Sequence, residues 1–383
     1  MPDPDPRSNL NVLRVVTTAV GTLFCVVILA VFCYNFILSS GTKESGSQAK
    51  AADVTIMDKY DMFVTNKISD ALDGVLSIEK VYWLSDSDQV APEPNPAGYG
   101  EVSSYEELLP ILEKAADLID GQTLAITPDR PFWNGDTIHY YYDETILVIT
   151  WKEIVDKCVY TVSEVKIAHP SQFRRFLAGG EFGSDKQHLT TEMSASVNAV
   201  MASSGDFYTY CKVGTVVYEG QLRRFEGEDV DTCFINDEGD LLFAYRGQLK
   251  SEEEAKKFIE DNNVRFSLVF GPVLLDNGEI KVPRTYSRGQ VEGTYSRAAI
   301  CQWDKLHYLV VNTSQEQGYF NRHKTRFFTE FIQKLGCNTA YALDGGQTTA
   351  IVMNDELVTL PDYGTQRRIS DIIYFATALP DGG

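Results

Sequence analysis

The sequence has few of the features that mark metal-dependent or nucleic-acid-binding proteins. Its 34 Lys and Arg residues against 54 Asp and Glu give a formal net charge of −20. This balance argues against a protein that binds a phosphate backbone, because such proteins gain most of their affinity from clustered cations. The five histidines are scattered without metal-ligand spacing, and no stretch resembles an EF-hand calcium loop. We therefore expect neither a metal nor another cofactor.

Cysteine is also scarce. Two of the seven cysteines, Cys25 and Cys33, lie in a long apolar segment, and the other five form no C-x-x-C pair. An odd number without close pairs does not indicate a disulfide scaffold, although a single bridge remains open.

One long apolar run stands near the N-terminus. Residues 15–38 carry no charge, and as a helix they would span about 30 Å of hydrocarbon. A cleaved signal peptide is the alternative, but its apolar region would be about 7–15 residues long. Arg7 and Arg14 before the run, with Lys43 and Lys50 after it, do not orient the helix. Since most of the chain follows the run, the sequence predicts a single-pass cell-membrane protein with a short cytoplasmic tail and an extracytoplasmic body.

Composition divides the chain into five segments. They are a tail (1–14), the span (15–38), a flexible Ser-, Gly- and Lys-rich tether (39–53), an N-terminal α/β extension or stalk (54–158) and a main domain (159–380). Apolar residues at helical spacing over 57–76 predict a helix that packs on its own domain or, alternatively, mediates homo-oligomer formation. A further alternative is that residues 54–151 form a separate interaction domain.

The main domain has several predicted strands before one strong helix. Strands are expected over 159–167, 264–270 and 306–312. A short helix is predicted over 171–177, a second helix after the capping box of Ser251 and Glu254, and an amphipathic helix over 325–335 with Gly336 as its C-cap. This order predicts an α+β fold, with a mixed or antiparallel sheet core and packed helices.

Two aspartates each stand beside glycine at the end of an apolar strand. Asp344 precedes Gly345 and Gly346, where the backbone can turn or admit a ligand because no Cβ is present. The alternative is the Asp-Gly turn of a simple hairpin. Gly205-Asp206 ends a second buried strand, which follows a predicted short helix. Both acids are therefore candidates for chemistry on an oxygen-rich substrate.

Six motifs follow one another between about residue 160 and residue 379: Ser204-Gly205-Asp206-Phe207, Gly214–Arg224, Phe270-Gly271-Pro272, Arg297-Ala298-Ala299-Ile300, Leu343–Gly346 and Arg367–Asp371. Their order resembles the phosphodiester glycosidase family, which includes an enzyme that removes N-acetylglucosamine from a sugar-phosphate diester. Four positions depart from the family pattern. Ser204 replaces an asparagine, Gln347-Thr348 replaces a glycine and a serine, and His323 stands in a glycine position.

The resemblance implies a membrane-anchored hydrolase that cuts a sugar-1-phosphodiester in a cell-envelope polysaccharide or glycoconjugate. Two carboxyl groups usually serve such chemistry. Our candidates are Asp344 and Asp206, with Glu192 as a third. Arg297 and Arg367 would hold the phosphate, because guanidinium groups match phosphate oxygens.

The remaining candidates concern substrate binding. Gly205, Gly345 and Gly346 would bring backbone N–H groups to the phosphate or sugar, with Ser204 and the Thr348 hydroxyl beside them. Each candidate also has a structural interpretation: a turn aspartate for Asp206, a solvated helix residue for Glu192, ion pairs for the arginines and a strand residue for Thr348. The alternative function is a catalytically inactive glycan-binding or exopolysaccharide-assembly protein on the same fold.

Overall fold

Antiparallel strands dominate the part of the chain that the computed structural model describes, residues 90–131, 137–210, 212–226, 229–288, 290–316, 318–360 and 362–378. The strands are β1 (Tyr99–Val102), β2 (Ile138–Tyr142), β3 (Ile146–Val155), β4 (Cys158–Ile167), β5 (Phe173–Leu177), β6 (Met201–Ser204), β7 (Gly214–Tyr218), β8 (Gln221–Glu226), β9 (Thr232–Asn236), β10 (Leu241–Ala244), β11 (Val264–Leu268), β12 (Val273–Asp276), β13 (Glu279–Ile280), β14 (Ala298–Asp304), β15 (His307–Ser314), β16 (Thr339–Leu343), β17 (Ile351–Met353), β18 (Glu356–Leu357) and β19 (Asp371–Phe375). The α-helices are α1 (Tyr105–Lys114), α2 (Ala116–Ile119), α3 (Thr190–Ser196), α4 (Glu252–Asp261) and α5 (Thr325–Leu335).

Four sheets form from these strands. The largest has nine strands in the order β1-β2-β3-β4-β15-β14-β16-β12-β13, and the second has five in the order β18-β17-β6-β19-β5. Smaller sheets are β10-β9-β11 and β7-β8. Every described pairing is antiparallel. This sheet-rich architecture with few helices agrees with the predicted α+β class.

The core is layered, with helices outside two stacked sheets. Strand β4 lies between two layers of the core. All of its residues are buried, and successive side chains of a strand point to opposite faces of the sheet. Tyr160 and Val162 pack with Leu108 of α1 and Phe328 of α5 on one face, while Val165 on the other face packs in a cluster that includes residues of the five-stranded sheet. Helix α3 covers the far face of that second sheet. The order of layers is thus helix, nine-stranded sheet, five-stranded sheet, helix.

Residues before the predicted boundary at 158/159 contribute to this layering. Strands β1, β2 and β3 continue the large sheet, and β3 pairs along its whole length with β4. The boundary therefore falls at the turn of the β3–β4 hairpin, within one sheet. No helix among residues 90–378, as far as the structure describes them, is long and apolar enough to cross a membrane. The predicted span, the tether and the predicted helix at 57–76 lie outside the described residues.

Several local predictions are confirmed. Helix α5 begins and ends where expected, and Gly336 is its left-handed C-cap. The Ser251 Oγ accepts the Glu254 N–H and opens α4, and β4 fills the strand predicted over 159–167. Within the described residues, Cys158, Cys233, Cys301 and Cys337 are buried and form no disulfide.

One local prediction is wrong. The segment predicted as a helix over 171–177 is strand β5, which pairs with β19 of the five-stranded sheet. A single 3-10 turn over Pro170–Gln172 precedes it. Pairing with β19 and burial of Phe173, Phe176 and Leu177 decide the conformation of this segment, because tertiary contacts override a local preference.

Candidate active site

The Asp344-Gly345-Gly346 segment joins the two large sheets. It follows β16, which pairs with β14 and β12 of the nine-stranded sheet, and leads to β17, which pairs with β6 and β18 of the five-stranded sheet. The two strands do not pair with each other, so the simple hairpin considered for this segment is excluded. Asp344 therefore lies where the chain crosses from one layer of the core to the other.

Packing accounts for both glycines. A Cβ on Gly345 would lie 2.5 Å from the Ser296 carbonyl oxygen, and Gly346 has φ +69°, a region that favours glycine. The Gly346 N–H donates to the Ser296 carbonyl at 2.8 Å, and the Gly345 N–H donates to Oδ1 of Asp344 at 3.0 Å. Both N–H groups, predicted to reach a substrate, thus have partners within the protein.

The second acid–glycine segment meets the first. Gly205 and Asp206 follow β6 directly, and the Asp344 N–H donates to the Gly205 carbonyl at 3.1 Å. A Cβ on Gly205 would lie 2.1 Å from Oδ2 of Asp371, and the Gly205 N–H donates to the Asp371 carbonyl at 3.1 Å. Gly205 is therefore required by the neighbouring aspartate, and its N–H is occupied.

A fully buried ionic cluster lies under this junction. Arg175 of β5 contacts Asp206 at 2.6 Å and Asp371 at 2.9 Å. Asp371 also accepts the backbone N–H groups of Asp206 at 3.1 Å and Phe207 at 2.8 Å. We define these residues, Arg175, Asp206 and Asp371, as the buried triad. It fixes the turn after β6.

Asp206 belongs to this triad and does not line the cavity beside Asp344. Its Oδ2 accepts the Val269 N–H at 2.7 Å, and its side chain is fully buried. Burial raises the pKa of Asp206 to about 7, opposed by the charge of Arg175 and reinforced by that of Asp371. The placement corresponds to the structural interpretation of Asp206, a carboxylate that holds a turn.

Asp344 faces a cavity of about 310 Å³. Burial raises the pKa of Asp344 to about 7, while the Thr348 hydroxyl, the charge of Arg367 and the Gly345 N–H favour the ionised form. Among the described residues that line the cavity, Asp344 is the one carboxylic acid. A carboxyl group that titrates near neutral pH can exchange a proton with a substrate under physiological conditions.

Three arginines line the same cavity: Arg288, Arg297 and Arg367. The buried Arg297 donates to backbone carbonyls, to His323 at 3.4 Å, to Gln290 at 3.2 Å and to Gly293. Burial lowers the pKa of Arg297 to about 10. Arg367 lies over the Phe207 ring, 5.2 Å from its centroid. The structure thus places both predicted phosphate ligands at the cavity, and it adds Arg288.

Two other predicted residues lie elsewhere. Glu192 on α3 accepts the Leu189 N–H at 2.9 Å and contacts Arg368 at 3.2 Å. Burial alone would raise the Glu192 pKa, but hydrogen bonds from His188 and the Leu189 N–H, with the Arg368 charge, lower it. Ser204 is buried in β6, and its hydroxyl has no hydrogen-bond partner among the described residues. Neither residue lines the cavity of Asp344.

His323, a departure from the family pattern, is buried. Its Nδ1 lies 2.7 Å from the Tyr160 hydroxyl, and burial lowers its pKa. The His323 carbonyl accepts a hydrogen bond from Nε of Arg297. The segment that contains His323 therefore helps to orient the Arg297 guanidinium. His323 is therefore a packed residue and not a solvated one.

Sequence reasoning missed four residues that build the site. Arg175 lay in a segment predicted to be helical, and Asp371 ended a recognised motif without receiving a role. Arg288 comes from an irregular segment, and Tyr210 carried no periodic signal. Of these four residues, only Asp371 could have been identified from the sequence, because it ends the Arg367–Asp371 motif.

No group of three or more His, Cys, Asp or Glu within the described residues could hold a metal.

A comparison with protein-family models identifies the family of part of the chain. Residues 193–376 match the family model described as phosphodiester glycosidase. This part of the chain belongs to the phosphodiester glycosidase family. The matched residues of this phosphodiester glycosidase domain include Asp206, Arg297, Asp344, Arg367 and the whole stretch between them.

Solved structures with a similar arrangement include the catalytic domain of zebrafish N-acetylglucosamine-1-phosphodiester alpha-N-acetylglucosaminidase, auto-inhibited by its pro-peptide. It is 18% identical, with a TM-score of 0.48 over 61% of this chain and 83% of that one. A hypothetical protein from Synechocystis is 14% identical, with a TM-score of 0.48 over 62% of this chain and 64% of that one. No curated protein sequence matches the chain.

The tight packing of Gly205 on the buried triad leads to the first prediction. We expect Gly205→Ala to lower the free energy of unfolding by about 1–3 kcal/mol, because its Cβ would overlap the Asp371 carboxylate. The neighbouring Ser204→Ala is the matched control. It removes a buried hydroxyl without a partner, so it leaves stability unchanged or raises it. Urea unfolding of both variants is the measurement, and equal losses would contradict the packing role of Gly205.

Proposed function

We propose that the chain hydrolyses a sugar-1-phosphodiester, with Asp344 as the general base. The observation that carries this proposal is a single carboxyl group, with its pKa raised to about 7, in a cavity that three arginines line. The family of the matched domain supports a glycosidase-type hydrolase and a carbohydrate substrate.

The charge of the cavity favours an anionic ligand. Arg288, Arg297 and Arg367 supply three cations against one partly protonated carboxyl group, although the whole chain has a net charge of −20. Low-dielectric surroundings strengthen the attraction between a guanidinium and a phosphate. We assign Arg297 and Arg367 to the phosphate. Arg297 suits this role because carbonyl groups hold its guanidinium in one orientation.

The aromatic residues at the cavity suit a sugar ring. Phe207 and Tyr210 stack at 5.6 Å, and Tyr210 is 69% exposed although it lines the cavity. An exposed aromatic face is available for the C–H groups of a sugar. A volume of about 310 Å³ lies at the lower end of the usual range for ligand sites, so we propose that a single sugar with its phosphoryl group occupies the cavity.

The proposed reaction breaks the bond between the anomeric carbon and the phosphate oxygen. Asp344 takes a proton from water while the water oxygen bonds to the anomeric carbon, and the phosphate monoester leaves with the bonding electrons. Arg297 and Arg367 stabilise the charge that develops on the leaving group. A phosphate leaves more readily than a sugar hydroxyl, so this route needs no second carboxyl group as acid, in contrast to most glycosidases.

Asp344→Asn tests the role of Asp344. We expect kcat/KM for an N-acetylglucosamine 1-phosphodiester to fall about 10²–10⁴-fold, the usual contribution of a general base. Asp261→Asn, on the exposed side of α4, is the control and should retain activity. Because a base must be ionised, the wild-type rate should rise with pH through about 7.

Other outcomes of this assay have distinct meanings. A rate that falls with pH through the same range would make Asp344 the general acid. Full activity of Asp344→Asn would remove it from the chemistry. A folded wild-type chain that binds the diester but releases no sugar would support the alternative, a glycan-binding or exopolysaccharide-assembly protein.

For location, we propose a single-pass protein of the cell membrane whose body acts on a cell-envelope polysaccharide or glycoconjugate. The support is the uncharged apolar run at 15–38 followed by a polar tether. Membrane fractionation of the full chain and of a chain that starts at residue 54 is the test. We expect the full chain in the membrane fraction and the shortened chain outside it, and equal distribution of the two would contradict the anchor.

A further inference from the structure

One cation at the cavity has no role in the reaction proposed above. Arg288 lines the cavity together with Asp344, Arg297 and Arg367. Its Nε is buried and has no hydrogen-bond partner among the described residues. A buried donor without an acceptor costs free energy comparable to a lost hydrogen bond. Since a buried Nε cannot contact a ligand directly, the other guanidinium N–H groups of Arg288 are the ones that face a ligand in the cavity.

The other two arginines are engaged differently. Arg297 is held by backbone carbonyls, and Arg367 lies over Phe207 and close enough to Asp344 to lower its pKa. A phosphodiester carries one negative charge, and Arg297 and Arg367 are sufficient to bind it. Arg288 therefore exceeds what a simple sugar phosphodiester requires.

The charge balance of the cavity indicates the additional ligand group. When Asp344 is ionised, as a base must be, three guanidinium charges and one carboxylate leave two positive charges. A phosphodiester neutralises one of them. A sugar esterified through a diphosphate, which carries two negative charges at neutral pH, neutralises both.

We propose that Arg288 binds a second phosphate on the leaving group, so that the preferred substrates are sugar 1-diphosphate esters. The proposal rests on the proposed function, because it names the substrate class of the same cavity. Arg288 acts as a specificity-determining residue, and its planar donor group suits phosphate oxygens.

The experiment compares two substrates that differ by one phosphate, the methyl esters of N-acetylglucosamine 1-phosphate and of N-acetylglucosamine 1-diphosphate. For the full chain, we expect kcat/KM to be at least about tenfold higher for the diphosphate, since its second phosphate adds a charge-assisted hydrogen bond to Arg288. Arg288→Gln should reduce this ratio to about one. Arg326→Gln, an exposed arginine of α5 paired with Glu330, is the matched control and should retain the wild-type ratio.

A binding measurement separates this proposal from the proposed function. Calorimetric titration with pyrophosphate and with inorganic phosphate needs no turnover, and we expect Arg288→Gln to weaken pyrophosphate binding at least about tenfold more than phosphate binding. Arg288→Lys keeps the charge and should retain part of the preference, which provides a second variant if Arg288→Gln fails to fold.

Each outcome has a defined reading. Hydrolysis of both esters with a ratio that Arg288→Gln leaves unchanged would overturn the role of Arg288 and leave the proposed function intact. Arg288-dependent pyrophosphate binding without hydrolysis of either ester would support the anion site and count against the proposed function. A wild-type preference for the monophosphate ester would also overturn the substrate class.

Discussion

The buried triad of Arg175, Asp206 and Asp371 is the interaction on which the junction of the two large sheets depends. It links β5, the turn after β6 and the start of β19, and Asp206 reaches the Val269 N–H just after β11. Burying charge is favourable only where each group finds a close partner, so the cluster tolerates little movement. Because the Gly205 carbonyl accepts the Asp344 N–H, the same cluster positions the backbone of the acid at the cavity.

Two aspartates thus have similar chemistry and different surroundings. Burial raises the pKa of both Asp206 and Asp344 to about 7. Asp206 is enclosed with a guanidinium and does not line the cavity, whereas Asp344 opens to a cavity with cations and aromatic faces. A perturbed pKa alone would nominate both residues as catalytic. Access to the cavity distinguishes the structural carboxyl group from the one proposed to act.

Local patterns in the sequence were sufficient for much of the fold and for part of the site. Helix α5 with its glycine cap, the cap of α4 and the central strand β4 follow from periodicity and capping residues. Asp344, Arg297 and Arg367 followed from motifs of the family, and all three line the cavity. The pairing of Arg175 with residues 31 and 196 positions away has no local signature, which is why β5 was predicted as a helix and the ion pair of Asp206 was not predicted. Arg288 lies in an irregular segment, where only the folded chain reveals its proximity to Asp344.

The central claim is that Asp344 directs water to the anomeric carbon and not to phosphorus. An arginine-lined cavity could serve either attack, so the position of the new oxygen is the direct test. Hydrolysis of an N-acetylglucosamine 1-phosphodiester in ¹⁸O-labelled water, followed by mass spectrometry of both products, measures it. The account predicts the label in the released sugar and none in the phosphate monoester. Label in the phosphate product would identify a phosphodiesterase and contradict the account.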